Sequence, residues 1–253
     1  MSRIKLTISY LGDNYCGWQV QKNKPTVQSA VQDALEGLYG IRPDVIGCSR
    51  TDSGVHANNY VCCFDIENER DNIPCQRLPA ALAGVLPYDI SAKNAEPVSN
   101  DFHPRYSCLG KEYKYLILNS EIPNPFLHNR AWLCKKILDI DAMNEAARHI
   151  IGKRDFSAFM ASGSKITDTV RDVKALEITK ENDLITLSVT ADGFLYNMVR
   201  IITGTLVEVG KGAIKPDMLS DIIGSENRSN AGITAPAFGL YLNRIFYRKE
   251  DIL

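Results

Sequence analysis

Apolar periodicity switches from two to near 3.6 and back along each half of this chain, and that alternation restricts the folds open to it. Ile4, Leu6 and Ile8 alternate with polar residues, the pattern of a half-buried strand. Thr26 then precedes a run in which Val27, Val31, Ala34, Leu35 and Leu38 share one helical face. Thr26 is a natural N-cap and Gly40 a natural stop. Strands are expected over 44–48 and 60–66, a second helix over 75–84, and a strand over 90–97. The first half therefore reads β-α-β-β-α-β. Beyond the Pro-rich and polar stretch 97–105 the pattern roughly recurs. Strands are expected at 113–118 and 131–134, and a helix capped by Asp141 runs to Ile151. A hairpin of 170–179 and 184–190 turns across Glu181-Asn182-Asp183. A strongly apolar helix covers 196–209, a short one follows Pro216, and a strand closes the chain at 240–247. The predicted fold class is α+β, with two ferredoxin-like halves carrying mostly antiparallel sheets, side by side. The halves are placed at 1–105 and 106–253.

Composition narrows the function classes. The 253 residues are 45% apolar and 23% charged, an ordinary globular balance. No apolar stretch approaches the roughly 18 residues of a membrane span, and the N-terminus lacks the apolar core of a signal peptide. Seven cysteines is an odd number, and none lies in a CxxC spacing. Reduced thiols in a cytoplasmic protein account for them better than disulfides or a zinc site. His56, His103, His128 and His149 are widely separated, so the sequence offers no metal centre. The net charge of −1 means that a polyanionic partner would need a local basic patch.

The densest chemical cluster is Cys48-Ser49-Arg50-Thr51-Asp52-Ser53-Gly54-Val55-His56-Ala57. Residues of these types make turns without any further role. A plain turn, however, has no need of Arg50 and His56 flanking a carboxylate, and catalytic groups concentrate on loops held by strands. Arg200 is the second feature. It lies near the start of the helix at 196–209, where the dipole disfavours a cation by about 0.3–1 kcal/mol. Either it is an exposed residue on a polar face, or it pairs with a carboxylate or phosphate. Asp52 is the expected partner, because a nearby guanidinium keeps a carboxylate ionised. The third feature is Lys111-Glu112-Tyr113-Lys114-Tyr115, where period two puts Lys111, Tyr113 and Tyr115 on one face. Alternating Lys and Tyr suits base stacking beside phosphate contacts, or simply an ordinary strand with a basic edge. Phe102-His103-Pro104-Arg105, and Arg154 with Phe156 and Phe159, add further basic and aromatic groups.

Arg50-Thr51-Asp52-Ser53-Gly54-Val55-His56-Ala57 resembles the signature loop of the TruA family of tRNA pseudouridine synthases. The likeness extends along nearly the whole chain. Tyr10-Leu11-Gly12, Gly17-Trp18-Gln19 and Thr26-Val27-Gln28 resemble the family's opening. Phe102-His103-Pro104-Arg105 with Lys111, Tyr113 and Tyr115 resembles its central strand. Asp155-Phe156-Ser157-Ala158-Phe159, Met198-Val199-Arg200 and Ala235-Pro236-Ala237 with Gly239-Leu240 resemble later blocks. Ser49 stands where the family usually has Gly, and Asn58-Asn59-Tyr60 replaces a commoner run ending in Gln-Val.

The resemblance implies the pseudouridine synthase fold, with both halves facing a central basic cleft, a homodimer and no cofactor. It implies isomerisation of uridine to pseudouridine at positions 38 to 40 of the tRNA anticodon stem-loop. Asp52 is then the nucleophile. Arg50 fills or supports the space left by a flipped base, Tyr113 packs on the uracil, Leu240 floors it, and Arg200 pairs with Asp52. His56 reads as a structural loop residue. Two other readings of the residues stand beside this one. A non-catalytic RNA-binding module explains the tyrosines and lysines but gives Arg50, His56 and Arg200 no role. An aspartic peptidase matches Asp52-Ser53-Gly54 but needs a second carboxylate to share the proton.

Overall fold

The alternation at the N-terminus does form a strand, and one face of it is entirely buried. In the computed structural model, which describes residues 1–67, 72–163 and 166–252, β1 spans Ser2–Tyr10, with Ile4, Leu6 and Ile8 fully buried. The helix α1 (Val27–Tyr39) begins at Thr26, whose side chain accepts the Ser29 N–H, and ends at Gly40 in the left-handed region at φ 70°. Next come β2 (Val45–Gly47), β3 (His56–Ile66), α2 (Leu78–Ala83) and β4 (Ile90–Val98). The expected helix start at Cys75 is corrected to Leu78. Pro79 fits inside a helix's first turn, where no backbone N–H is needed. β3 is also longer than its apolar pattern suggests, because it begins inside the motif at His56.

The chain divides into two compact units, one of Met1–Leu109 with Tyr241–Lys249 and one of Gly110–Leu240 with Glu250–Leu253. In the first unit β1 lies between β4 and β3, antiparallel to both, and β2 pairs with the far half of β3. This strand order, β4-β1-β3-β2, is the ferredoxin-like one. The strand β10 (Leu240–Phe246) pairs in parallel with the near end of β3, matching Tyr241 to His56 and Leu242 to Ala57.

The second unit contains β5 (Gly110–Leu118), β6 (Trp132–Leu133), α3 (Ile140–Arg148), β7 (Gly152–Asp155), β8 (Val170–Glu181), β9 (Leu184–Ala191), α4 (Met198–Gly210) and α5 (Met218–Gly224). β9 lies antiparallel between β5 and β8, β7 extends β8, and the short β6 runs parallel to β5. The β8–β9 hairpin turns as expected at Asn182, which accepts φ 52°. The cap of α3 is Asp139 rather than Asp141. The Asp139 carboxylate accepts the Ala142 N–H at 3.0 Å, while Asp141 lies within the first turn. Together the elements make a mixed α+β protein whose sheet strands are mostly antiparallel.

No disulfide joins the seven cysteines. Burial raises the thiol of Cys62 well above its usual range and that of Cys63 to about 11. Thiolate is the species that alkylates. Iodoacetamide at pH 8 is therefore expected to leave both untouched in the native protein and to modify them once urea unfolds it. Rapid labelling of either in the native protein, read by peptide mass, would contradict this burial.

Candidate active site

The carboxylate loop is fixed from three sides within the first unit. Its own turn closes through the Val55 N–H, which donates to the Asp52 carbonyl at 3.2 Å, with Gly54 at φ 80°. A positive φ two places after the aspartate is readily adopted only by glycine, which explains Ser53-Gly54. Ahead of the turn, Thr51 is buried and its hydroxyl bonds the Tyr10 hydroxyl at 2.8 Å. Behind it, His56 is fully buried. Its Nδ1 accepts the Gly12 N–H at 2.9 Å, and its ring packs on Tyr241 at 4.7 Å. With Nδ1 occupied as an acceptor, neutral His56 carries its proton on Nε2. His56 thus anchors the loop, as its sequence setting suggests.

Residues 11–18 form a second loop pressed against the first. The Trp18 N–H donates to the Thr51 carbonyl at 3.1 Å, and Ser53 Oγ donates to the Tyr15 carbonyl at 3.2 Å. The approach is so close that only glycine fits at two positions. A Cβ on Gly12 would lie 2.2 Å from the Val55 carbonyl oxygen, and one on Gly17 would lie 2.4 Å from that of Thr51. The loop is tied in turn to α1, since Val27 and Gln28 donate to the carbonyls of Gly17 and Trp18 at 3.2 and 3.0 Å. These are N–H groups at the helix start that lack intrahelical partners. Trp18 also stacks on buried Tyr60 at 4.1 Å, and the Tyr60 hydroxyl donates to the Ser49 carbonyl.

Asp89 braces the same region. Its carboxylate accepts from the Tyr15 hydroxyl at 2.6 Å and from Asn14 Nδ2 at 2.9 Å, while its carbonyl accepts the Leu11 N–H. Burial, then the Asp89 hydrogen bond and charge, push the Tyr15 hydroxyl far above its usual range, so it remains a donor. Tyr15→Phe leaves a buried carboxylate short of one donor. It is expected to cost about 1–3 kcal/mol in urea unfolding; an unchanged midpoint and slope would show that the bond contributes nothing. Within this frame Asp52 is half-buried and Arg50 is exposed, so a rigid loop presents both groups. Sequence reasoning did not single out Tyr15 or Asp89 as supports of this loop. The nearest signal was the pair of glycines at 12 and 17.

The remaining expected site residues lie in the second unit, and each has a local reason for its position. Tyr113 on β5 is buried and meets Phe194 edge-on at 5.1 Å. Tyr115, on the same face, is wholly buried, with its hydroxyl donating to the Pro236 carbonyl at 2.7 Å. Tyr115 therefore belongs to the core rather than to a base-stacking surface. The same correction applies to Phe156 and Phe159, both fully buried. Gly239 lies on the Tyr115 ring, where a Cβ would come within 2.6 Å of Cζ, and this contact fixes the entry of buried Leu240 into β10.

Arg200 occupies the first turn of α4. Its Nη1 donates to Asn197 Oδ1 and its Nε to the Ala235 carbonyl, both at 2.7 Å. The helix begins at Met198 rather than 196 because Asn197 takes the left-handed conformation at φ 59°. Residues 232–235 run directly over α4. The Ala235 N–H donates to the Arg200 carbonyl at 3.1 Å, and a Cβ on Gly204 would overlap the Ile233 carbonyl. The guanidinium is therefore held from both the helix start and the crossing segment, which offsets the unfavourable dipole.

Among the described residues, no cluster of His, Cys, Asp and Glu is placed to hold a metal ion, and no helix is long and apolar enough to cross a membrane. The sequence profile of tRNA pseudouridine synthase matches residues 6–107 and 146–248. A tRNA pseudouridine synthase A of Thermoanaerobacter sp. strain X514 is 48% identical over 98% of this chain and 100% of its own length. That of Acetivibrio thermocellus is 47% identical over the same shares. The tRNA pseudouridine synthase A 2 of Clostridium perfringens is 44% identical, again over 98% and 100%. A chain of a solved Cbf5-Nop10-Gar1 complex aligns over 94% of this chain and 57% of its own, at 12% identity and a TM-score of 0.36, too slight a likeness to carry an argument. The profile match and the full-length relatives place the chain in the tRNA pseudouridine synthase family, as an isomerase.

Proposed function

We propose that this enzyme isomerises uridines at positions 38 to 40 of the tRNA anticodon stem-loop, with Asp52 as nucleophile and no cofactor. The observation that carries the assignment of Asp52 is the rigid frame around its loop. Gly12, Gly17, Tyr10, Trp18 and His56 all serve to hold a half-exposed carboxylate that a simple turn would not need. Catalytic groups on preorganised loops are the usual outcome of such an arrangement.

The reaction breaks the N1–C1′ bond of uridine and joins C5 to the same ribose carbon. The C5 proton leaves and N1 gains a proton, so composition and oxidation state are unchanged overall. One carboxylate suffices for nucleophilic catalysis of this kind. Uracil C6 and ribose C1′ are the two electrophilic carbons open to it, and an adduct at either lets the base turn before C5 rejoins C1′. The target base must first leave its stack, at about a few kcal/mol. Arg50 is assigned to the vacated space, and Tyr113 and Leu240 to the flipped uracil. Arg200 is assigned as the cation that keeps the nucleophile ionised. The wider reading places the enzyme in the cytoplasm as a homodimer.

The test is incubation of the protein with an unmodified tRNA transcript, followed by mapping pseudouridine with carbodiimide and primer extension. Stops confined to positions 38 to 40 are expected. Stops elsewhere would overturn the assigned position, and the absence of stops would overturn the activity.

A further inference from the structure

Within the first unit, beside the carboxylate loop, lies a pocket of about 270 Å³ whose walls include Trp18, Arg50, His103, Arg105 and Tyr106. Ligand pockets that enclose a small molecule usually run to about 300–1,000 Å³. This one is just below that range and open, and the two cations Arg50 and Arg105 line it together with the Tyr106 ring. Its chemistry suits one anionic, aromatic unit of a longer chain.

The segment bearing Arg105 and Tyr106 is built rigidly. His103 Nδ1 accepts both the Arg105 N–H at 3.1 Å and the Tyr106 N–H at 3.2 Å. The His103 N–H donates to Ser107 Oγ at 3.0 Å, and the Ser107 N–H returns to the His103 carbonyl at 2.9 Å. Tyr247 clamps the turn from beneath, donating from its hydroxyl to the Pro104 carbonyl at 2.8 Å. On this frame the Tyr106 ring packs on the His103 ring at 4.3 Å, and the Arg105 guanidinium lies over it at 5.8 Å. Tyr106 is nevertheless 77% exposed, and Arg105 is exposed as well. Folding gains little from holding a large aromatic ring in water on a braced turn, whereas a stacking platform requires it.

We infer that this pocket is a second RNA subsite, which takes one nucleotide beside the target, stacking its base on Tyr106 and its phosphate on Arg105. Arg50 lines the pocket and stands two residues before Asp52, which makes the subsite a neighbour of the reacting position. The inference rests on the reading of the substrate as RNA. A phosphate contact supplies affinity and stacking tolerates any base, so the subsite sets register rather than sequence.

The experiment measures filter binding of an unmodified tRNA transcript across a series of salt concentrations, with product formation by the native protein followed in parallel. Tyr106→Ala is expected to weaken binding about tenfold, while Tyr106→Phe stays within about twofold of native. Arg105→Gln is expected to reduce the slope of log affinity against log salt by about 0.7–0.9, the share of one phosphate. Both side chains project from the surface, so urea midpoints matching the native protein verify folding. Native-like binding by Tyr106→Ala, or no RNA binding by any form, overturns the subsite. Native protein that forms pseudouridine while Tyr106→Ala binds like native overturns only the subsite. Tyr106-dependent binding without product upholds the subsite and overturns the isomerase reading instead.

Discussion

Asp52→Asn is expected to lower single-turnover isomerisation by at least about 10⁴-fold, the scale set by removal of a nucleophile that acts as one unit with its surroundings. The substitution conserves the shape of the side chain and removes its charge and nucleophilicity. The loop is also held through atoms that the substitution does not alter: the Asp52 carbonyl, the Thr51 hydroxyl and carbonyl, and the His56 ring. The turn should therefore survive, and affinity for tRNA should stay within about threefold of native. The comparison separates chemistry from binding. Near-normal turnover by Asp52→Asn would remove Asp52 as the nucleophile. Loss of both turnover and affinity, with a lowered urea midpoint, would instead assign the aspartate to the architecture.

A substitution far from the aspartate in sequence should be nearly as damaging. Gly17 holds φ 89°, and a Cβ there would lie 2.4 Å from the carbonyl oxygen of Thr51. That oxygen already accepts the Trp18 N–H at 3.1 Å. Gly17→Ala thus adds backbone strain of about 1–3 kcal/mol and pushes Thr51 away from Trp18. A total cost of about 2–4 kcal/mol is expected in urea unfolding. Where the protein remains folded, kcat should fall by about 10²-fold or more, because a shift of about 1 Å at a reacting group has that effect. Gly37, by contrast, lies inside α1, and a Cβ there would meet nothing within 4 Å. Gly37→Ala should be neutral or stabilising by up to about 1 kcal/mol. Equal behaviour of the two variants would contradict the close packing of the two loops.

The sequence made the elements legible wherever one face is apolar. Thr26 and Gly40 bracket α1 because both ends use local chemistry, a side-chain cap and a left-handed glycine. Local chemistry also misled at α3, where Asp139 and Asp141 are equally plausible caps and only the backbone path chooses between them. β3 was underestimated at its start because His56, Asn58 and Asn59 do not look like strand residues. Tertiary partners hold them there: Gly12 bonds His56, and Asn243 bonds Asn58 and Asn59. The return of β10 to pair with β3 is a contact between residues far apart in sequence, and periodicity carries no information about it.

For the site, the cluster at 50–57 was legible because its residue types exceed what a turn needs. Arg200 stood out because its charge conflicts with its place in the helix. The structure then supplies the compensation, in Asn197 and Ala235. Composition alone does not separate the aromatic residues. Tyr115, Phe156 and Phe159 share a composition with stacking residues but are buried in the core, while Tyr106 lies exposed on a braced turn. Alternation gives the face on which a side chain lies, and burial depends on what is packed against that face.

Everything proposed for the site turns on Asp52 driving the exchange of a C–N bond for a C–C bond at uridine. That exchange is followed by release of tritium to water from a tRNA transcript carrying uridine labelled at C5, counted against the pseudouridine formed, since joining C5 to C1′ expels that hydrogen. Native protein is expected to release one tritium for each pseudouridine formed, and Asp52→Asn to release none above the rate without enzyme. Release by Asp52→Asn at the native rate, or pseudouridine formed with the label retained, would contradict it.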